Sequence, residues 1–375
     1  MATEMDVDTV TNPRPLRLAL QGGGAHGAFT WGVLDRLLEE PGLPIEAVSG
    51  TSAGAMNAVV LADGLLRGGR QGARDALAAF WQGVGKAAAL SPFRRGVVDR
   101  LSGRASLDRS PGFLFFDGLS RYVSPYDLNP LGLNPLRNLV EQQVDFEALN
   151  GSEAIAVHVT ATHVHTGLPR IFSNGALSVD AVMASACLPQ LFPAVEIEGE
   201  AYWDGGYTGN PSLFPLVEGA EETDLFIVQI NPIRRDGVPH SARDIINRVN
   251  EITFNASLVK ELAAIQGARR KDCDAAGAGV RLHRIHGGPA AEAQSASSKL
   301  DADERQLARL CELGRGRTEM WLRDHRDQIG AASTLDLDRL FGVRPAAGLP
   351  ALRPQRPRPG LLAGFFRRMR RVHGG

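Results

Sequence analysis

Apolar residues near the start of the chain form short continuous runs that alternate with helical spacing. The run Leu16–Leu20 predicts a short buried strand. From Gly27 onward, after a glycine cluster, apolar residues recur at the spacing of a helix. The pattern then repeats, with a strand predicted at Ile45–Val48 and an alanine-rich helix at Ala55–Leu66. The chain therefore opens with two consecutive strand–turn–helix units.

The same alternation continues along the rest of the chain. Apolar runs predict four further strands, at Ala154–Thr162, Ala201–Trp203, Leu225–Ile230 and Val280–Ile285. Helical spacing predicts helices at Ser178–Ala186, Asp244–Ala268 and Asp303–Arg323. Strands that alternate with helices typically form a parallel sheet covered on both faces. We therefore predict an α/β fold with a mostly parallel central sheet.

Three regions fall outside this alternation. The polar leader Met1–Arg14 lacks the basic start and apolar run of a signal peptide, and we predict that it is disordered. Between Gly83 and Pro135 prolines and aromatic residues interleave without a period, which predicts either an insertion packed on the core or a lid over an apolar cleft. Residues 344–375 contain no acidic residue and combine prolines with arginines, which is typical of a tail. The main folded domain is thus predicted at residues 15–343.

Composition narrows the classes of protein. The 375 residues are 43% hydrophobic, which is enough for a large core. Because 41 basic residues nearly balance 42 acidic ones, no overall electrostatic field favours binding to nucleic acid. Cys187, Cys273 and Cys311 are too far apart for a zinc motif and are predicted to be free buried thiols. No run approaches the roughly 18 to 20 apolar residues of a membrane span. We predict a cytoplasmic protein without a metal, for which a membrane surface remains open as a place of action.

A glycine loop follows the first strand. Its sequence, Gly22-Gly23-Gly24-Ala25-His26-Gly27, matches the G-x-G-x-x-G spacing of dinucleotide-binding loops. The same geometry presents backbone N–H groups at the start of a helix, where they can bind any anion, including the oxyanion of a tetrahedral intermediate. The loop therefore predicts an anion site and leaves open which anion it binds.

The second strand–turn–helix unit carries a candidate nucleophile. Gly50-Thr51-Ser52-Ala53-Gly54 is a G-x-S-x-G sequence between a strand and a helix, the context in which a nucleophile elbow exposes a serine. Glycines are needed on both sides because the sharp turn brings backbone against backbone. An ordinary Gly-Ser turn remains the alternative for this motif alone.

A serine nucleophile needs a base, because its hydroxyl is too weakly acidic to attack unaided. None of the nine histidines lies in a recognisable catalytic motif. Asp204 lies instead at the end of an apolar strand and before Gly205 and Gly206, where a carboxylate points toward the crevice in which α/β proteins bind ligands. An aspartate that caps its own turn is the alternative.

Taken in order, the glycine loop, Gly50–Gly54 and Asp204-Gly205-Gly206 resemble the oxyanion loop, nucleophile elbow and base motif of the patatin-like phospholipases. The stretch Ala184–Val195 also resembles the segment that precedes the base in that family, and the resemblance covers about Leu16–Leu216. It implies a three-layer α/β/α sandwich and a Ser-Asp dyad that needs no histidine and no cofactor.

The resemblance also implies a role for each motif residue. Ser52 would be the nucleophile and Asp204 the general base, with an oxyanion hole formed by the loop residues Gly22, Gly23, Gly24, Ala25, His26 and Gly27. Gly50, Gly54, Gly205 and Gly206 would support the elbow and the base. The substrate would be a lipid ester. Independently of the resemblance, the mix of apolar residues and arginines in the tail predicts contact with an anionic membrane, with a solvated, disordered tail as the alternative.

One position departs from the family pattern. The family usually has Arg or Lys after the glycine run, whereas this chain has His26, which is mostly neutral near pH 7. We therefore expect weaker positive support for the oxyanion. Other readings remain open: an esterase or depolymerase acting on non-phospholipid esters such as polyhydroxyalkanoate, a dinucleotide-binding protein, and a non-catalytic regulatory module.

Overall fold

A computed structural model describes residues 15–89, 123–129, 134–219, 222–270, 279–289 and 296–342. The leader Met1–Arg14, the tail at 344–375 and most of the Gly83–Pro135 segment lie outside the described residues, so the expectations of disorder, a lid and a membrane-binding tail remain predictions. Cys273 also lies outside them. Cys187 and Cys311 are free and buried, as predicted.

The centre of the described chain is an eight-stranded sheet. The strands are β1 (Leu16–Leu20), β2 (Ile45–Gly50), β3 (Ala156–His163), β4 (Pro169–Ser173), β5 (Val195–Ile197), β6 (Glu200–Asp204), β7 (Asp224–Gln229) and β8 (Arg281–His286). Their order across the sheet is β5-β6-β3-β2-β1-β7-β8, and β4 pairs with β3. The five strands from β3 to β8 in this order run parallel, whereas β4, β5 and β6 add antiparallel pairings.

Helices lie on both sides of the sheet, which confirms the predicted α/β fold with a mostly parallel centre. The described helices are α1 (Gly27–Leu37), α2 (Ala53–Ala89), α3 (Pro125–Leu128), α4 (Pro135–Gln143), α5 (Phe146–Asn150), α6 (Val179–Ser185), α7 (Phe214–Val217), α8 (Ala242–Arg270), α9 (Glu304–His325) and α10 (Leu337–Leu340). Helix α2 is broken at Gly68 and Gly69, whose backbone angles are not helical.

The strands at the centre of the sheet consist mainly of apolar residues because helices cover both of their faces. Every residue of β7 is buried, and so is every residue of β1 except Arg17. In the register of the sheet, Leu18 of β1 lies between Val48 of β2 and Phe226 of β7. Burying these side chains away from water is the main source of stability for such a core.

Contacts divide the chain into two compact units, one ending at Leu335 and the other beginning at Asp336. The sheet and the helices α1 to α9 belong to the first unit. In the second, the short helix α10 is capped by the Asp336 side chain, which accepts a hydrogen bond from the Arg339 N–H.

Candidate active site

The sheet brings the three sequence motifs to one edge. Because β1 and β2 are parallel neighbours, the glycine loop that follows β1 and the Ser52 turn that follows β2 leave the sheet side by side. Asp204 ends the antiparallel strand β6, where it pairs with Ala161 near the carboxyl end of β3. Ligands of α/β proteins bind at this edge of the sheet.

Ser52 lies on a strained turn between β2 and α2. Its φ angle of 54° lies in the left-handed region, which residues other than glycine seldom adopt. A Cβ added at Gly54 would overlap the carbonyl oxygen of Leu20, and one added at Gly50 would overlap that of Gly54. The turn therefore requires both flanking glycines, as the sequence predicted, and it holds the serine in a half-buried position.

A second serine fixes this turn to the rest of the fold. The Ser52 N–H donates to Oγ of Ser185 at 2.9 Å, and the Ser185 hydroxyl donates to the carbonyl oxygen of Thr160 at 2.6 Å. Ser185 is fully buried at the end of α6. Ser185 lies in the family-like segment Ala184–Val195, but no motif in the sequence marks it for this role.

Asp204 is brought into contact with Ser52. The Ser52 side chain lies close enough to the Asp204 carboxylate to lower the pKa of that carboxyl group. The carboxylate also accepts a hydrogen bond from the Gly206 N–H at 2.7 Å, and the Asp204 N–H donates to the Cys187 carbonyl oxygen at 2.7 Å. Since Asp204 is only 1% exposed, its carboxylate is shielded from water where it meets the serine.

Burial raises the pKa of Asp204 from its ordinary value of 3.8 to about 7. The hydrogen bond from the Gly206 N–H, the nearby Ser52 hydroxyl and the positive charge of Lys299 oppose this increase without cancelling it. A carboxyl group that titrates near neutral pH can both accept and return a proton at that pH, which is what a general base requires.

The glycine loop forms a one-turn 3₁₀ segment, Gly24–His26, before α1 begins. The Gly22 N–H donates to Oδ1 of Asn210 at 2.7 Å and is thus occupied. Within the described part of the chain, the N–H groups of Gly23, Gly24 and Ala25 donate to no acceptor. These three groups are therefore the ones available to an anion.

Buried amide side chains hold the loop in place. Oε1 of Gln21 accepts hydrogen bonds from the N–H groups of Ile230 and Asn231, at 2.8 and 2.6 Å. The Asn231 side chain in turn donates from Nδ2 to the Gly22 carbonyl oxygen at 2.9 Å. The loop after β1 is thereby joined to the loop after β7.

His26 does not supply positive charge to this loop. The side chain is 7% exposed, and its Nε2 lies 2.7 Å from Oγ of Ser298. Burial, together with the nearby charge of Lys299, lowers the pKa of His26 to about 3. The imidazole is therefore neutral at pH 7, in agreement with the expectation from the sequence.

A positive charge comes instead from Lys299, near the far end of the described chain. Its Nζ donates to Oδ1 of Asn231 at 2.5 Å, and its backbone carbonyl packs so closely on Gly24 that a Cβ there would overlap it. Burial lowers the pKa of Lys299 to about 8, while Glu251 and Asp204 raise it and Arg235 lowers it further. The amine is still mostly protonated at pH 7, and no motif around residue 299 marked it in the sequence.

Among the described residues, no histidine is hydrogen-bonded to Ser52 or Asp204. His158 bonds to Ser173 and His283 bonds to Asp224, both at 2.8 Å. The described residues include one group whose ligand atoms are close enough to hold a metal ion: His163, His165 and Glu200, within 4.8 Å of one another. Their mutual hydrogen bonds, at 2.8 and 3.3 Å, account for this partly exposed group without an ion.

Comparisons with known proteins place these motifs in a family. A family model described as "Patatin-like phospholipase" matches residues 18–217. The chain is 27% identical over 235 residues to "Lysophospholipase nte1" of Aspergillus terreus, a match that covers 62% of this chain and 13% of that protein. It is 26% identical over 264 residues to "cGAMP-activated phospholipase" of Escherichia coli, covering 62% of this chain and 65% of that protein. The chain thus spans less than two thirds of the length of both relatives.

Solved structures give weaker matches. The crystal structure of VipD from Legionella pneumophila has 16% identity and a TM-score of 0.39, with 88% of this chain and 72% of that chain covered. The type III effector ExoU has 15% identity and a TM-score of 0.26, with 83% and 54% covered.

Proposed function

Because the chain belongs to the patatin-like phospholipase family, we propose that it is a serine acyl hydrolase that cleaves carboxyl esters of lipids. Ser52 is the nucleophile and Asp204 its general base. The observation that carries this proposal is the proximity of the Ser52 side chain to a buried carboxylate, that of Asp204, whose pKa is raised to about 7. A dinucleotide-binding role for the glycine loop would leave this contact without a purpose.

The reaction follows from the positions of these groups. Asp204 accepts the hydroxyl proton as Oγ of Ser52 attacks the ester carbonyl, and the N–H groups of Gly23, Gly24 and Ala25 stabilise the oxyanion. The alcohol leaves with the proton held by Asp204. Water then loses a proton to the same carboxylate as it attacks the acyl-enzyme, and Asp204 returns that proton to Oγ of Ser52 as the carboxylic acid is released. Each backbone donor of this kind is typically worth about 3 kcal/mol in the transition state.

Lys299 replaces the missing loop cation in this scheme. The protonated amine lies beside the glycine loop and interacts with the charge of Asp204. It therefore stabilises negative charge in two places, on the ionised base before attack and on the oxyanion afterwards. His26, which is neutral, contributes packing and a hydrogen bond to Ser298.

For the substrate we propose phospholipids or lysophospholipids, since the two matching relatives are named for those activities. Non-phospholipid esters, polyhydroxyalkanoate among them, are the alternative. Among the described residues no helix is long and apolar enough to cross a bilayer. We propose that the protein is cytoplasmic and that the basic tail at 344–375 contacts anionic lipid.

The test combines covalent labelling with a substrate panel. Ser52→Ala should abolish both ester hydrolysis and labelling by a fluorophosphonate probe, whereas the exposed Ser241→Ala serves as the matched serine control and should retain both. Asp204→Asn should be nearly as inactive as Ser52→Ala. The panel consists of diacyl phospholipids, lysophospholipids, p-nitrophenyl esters of graded length and polyhydroxyalkanoate granules. Labelling that persists in Ser52→Ala would disprove the assignment of the nucleophile.

A further inference from the structure

A cavity of about 270 Å³ lies between the edge strand β8 and helix α9, outside the site described above. Basic side chains dominate its polar lining: Arg284 and His286 come from β8, and Arg317 and His325 come from α9. Trp321 supplies an aromatic wall. A cavity with this lining has the composition of a binding site for an anion.

The two arginines of this cavity carry uncompensated charge. Nη1 of Arg284 donates to the neutral Oε1 of Gln229 at 3.2 Å, and Nε of Arg317 donates to the carbonyl oxygen of His286 at 2.9 Å. Neither guanidinium is ion-paired with any carboxylate of the described residues. Asp324, which also lines the cavity, is paired with Arg323 at 2.8 Å.

One histidine of the cavity, His286, reports the same shortage of negative charge, and the other, His325, has an unpartnered ring nitrogen. Burial and the charges of Arg284 and Arg317 lower the pKa of His286 to about 4, and its Nδ1 accepts a hydrogen bond from the Gly288 N–H at 3.2 Å. Nδ1 of His325 is buried and has no hydrogen-bond partner among the described residues. Buried polar atoms without partners are rare in native proteins and call for an explanation such as a missing ligand.

We propose that this cavity binds a small phosphate-bearing anion. A phosphate group accepts several hydrogen bonds at once and matches the planar fork of an arginine guanidinium, so it can engage Arg284 and Arg317 together and offer an acceptor to His325. Ligand pockets usually measure roughly 300 to 1,000 Å³, so a cavity of about 270 Å³ suits a phosphate monoester of a small molecule.

Contacts link this cavity to the glycine loop. Gln229, which accepts from Arg284, donates from Nε2 to the Asn231 carbonyl oxygen at 2.7 Å. Asn231 in turn binds the Gly22 carbonyl oxygen and the Lys299 amine. An anion that draws the Arg284 guanidinium away from Gln229 therefore removes one support of the loop. An effect on hydrolysis through this link rests on the proposed function, whereas binding itself does not.

Calorimetric titration of the full chain at low salt, with inorganic phosphate and with glycerol 3-phosphate, tests the site. Arg284→Gln and Arg317→Gln should each weaken binding at least tenfold, and Arg317→Lys should weaken it less because the charge is kept. Arg309→Gln, at an exposed position of α9, is the matched control and should bind like the parent, since Arg309 does not line the cavity. Thermal melts without ligand establish that each variant is folded. In the parent, the pKa of His286 followed by NMR should rise when phosphate binds.

A second arm separates a soluble ligand from a lipid headgroup. The parent and both glutamine variants are each sedimented with vesicles of phosphatidylcholine, with and without phosphatidic acid. If the protein sediments with the vesicles only when phosphatidic acid and both arginines are present, the lipid headgroup is the source of the phosphate. Binding that persists undiminished in Arg284→Gln and Arg317→Gln would place the anion at the glycine loop and overturn the proposal, as would the absence of binding in both arms. A hydrolysis rate unchanged by bound phosphate would disprove the link through Gln229.

Discussion

Replacing Asp204 by Asn should make the fold more stable while it abolishes activity. Burial raises the pKa of Asp204 from 3.8 to about 7, so at pH 8 the folded protein holds an ionised carboxylate in surroundings that favour the neutral acid. A difference of about three pH units between the unfolded and folded pKa corresponds to about 4 kcal/mol of unfolding free energy. Asparagine has no proton to release and avoids this cost.

The sign of the effect follows from the order in which the two states titrate. The unfolded carboxyl loses its proton above about pH 4, whereas the folded one keeps it until about pH 7, so stability falls as the pH rises between these values. Asp204→Asn should therefore increase the free energy of unfolding by almost nothing at pH 3, by about 2 kcal/mol at pH 5 and by about 4 kcal/mol at pH 8. Urea unfolding of both proteins at the three pH values measures these differences.

Asp224 provides a matched comparison of opposite sign. Although burial raises its pKa, hydrogen bonds from His283, the Gly330 N–H and Arg281 outweigh that effect and lower it. Its ionised form therefore stabilises the fold at neutral pH, and Asp224→Asn should lose stability at pH 8. If Asp204→Asn were no more stable than the parent at pH 8, or if its gain did not depend on pH, the reasoning about the buried carboxylate would be wrong.

Two further predictions concern the same site. The value of kcat/KM should rise with pH through about 7 as Asp204 ionises. Lys299→Met should shift this rise to higher pH because the lysine charge lowers the pKa of Asp204, whereas Lys299→Arg should not shift it. Coincident pH profiles for the parent and Lys299→Met would argue against the role of the lysine. Gly54→Ala should greatly reduce the yield of soluble protein because the new Cβ overlaps the Leu20 carbonyl oxygen. Gly267→Ala serves as its control, since a Cβ at this position of helix α8 meets open space; the free energy of unfolding should rise by roughly 0.5 to 1 kcal/mol, measured by thermal or urea unfolding.

The central strands could be predicted from the sequence because each is a short apolar run with glycine or polar residues at its ends. Observed β1 coincides with the predicted Leu16–Leu20, and β7 and β8 begin within one residue of the expected positions. Strands β4 and β5 were missed. The first begins at a proline and buries only Phe172, and the second has three residues, so neither shows a periodic apolar pattern.

The candidate site could be predicted only as far as it is written in contiguous motifs. Ser52, Asp204 and the glycine loop were found because each is flanked by glycines that a tight turn requires. Ser185 and Lys299 act as single residues brought to the site by the fold, and no local pattern distinguishes them. The expected weakness of positive charge is correct for His26 itself, but its neighbour in space, Lys299, supplies a charge that sequence order does not reveal.

The glycine loop precedes, in the sequence, the three residues that hold it in shape: Asn210, Asn231 and Lys299. A fragment that contains Ser52 and Asp204 but ends between Asn210 and Asn231 therefore lacks two of these three supports. A fragment that ends at Val217, the last residue of the family match, is in the same position. The part of the chain on which the shape of the glycine loop depends therefore extends beyond the family match.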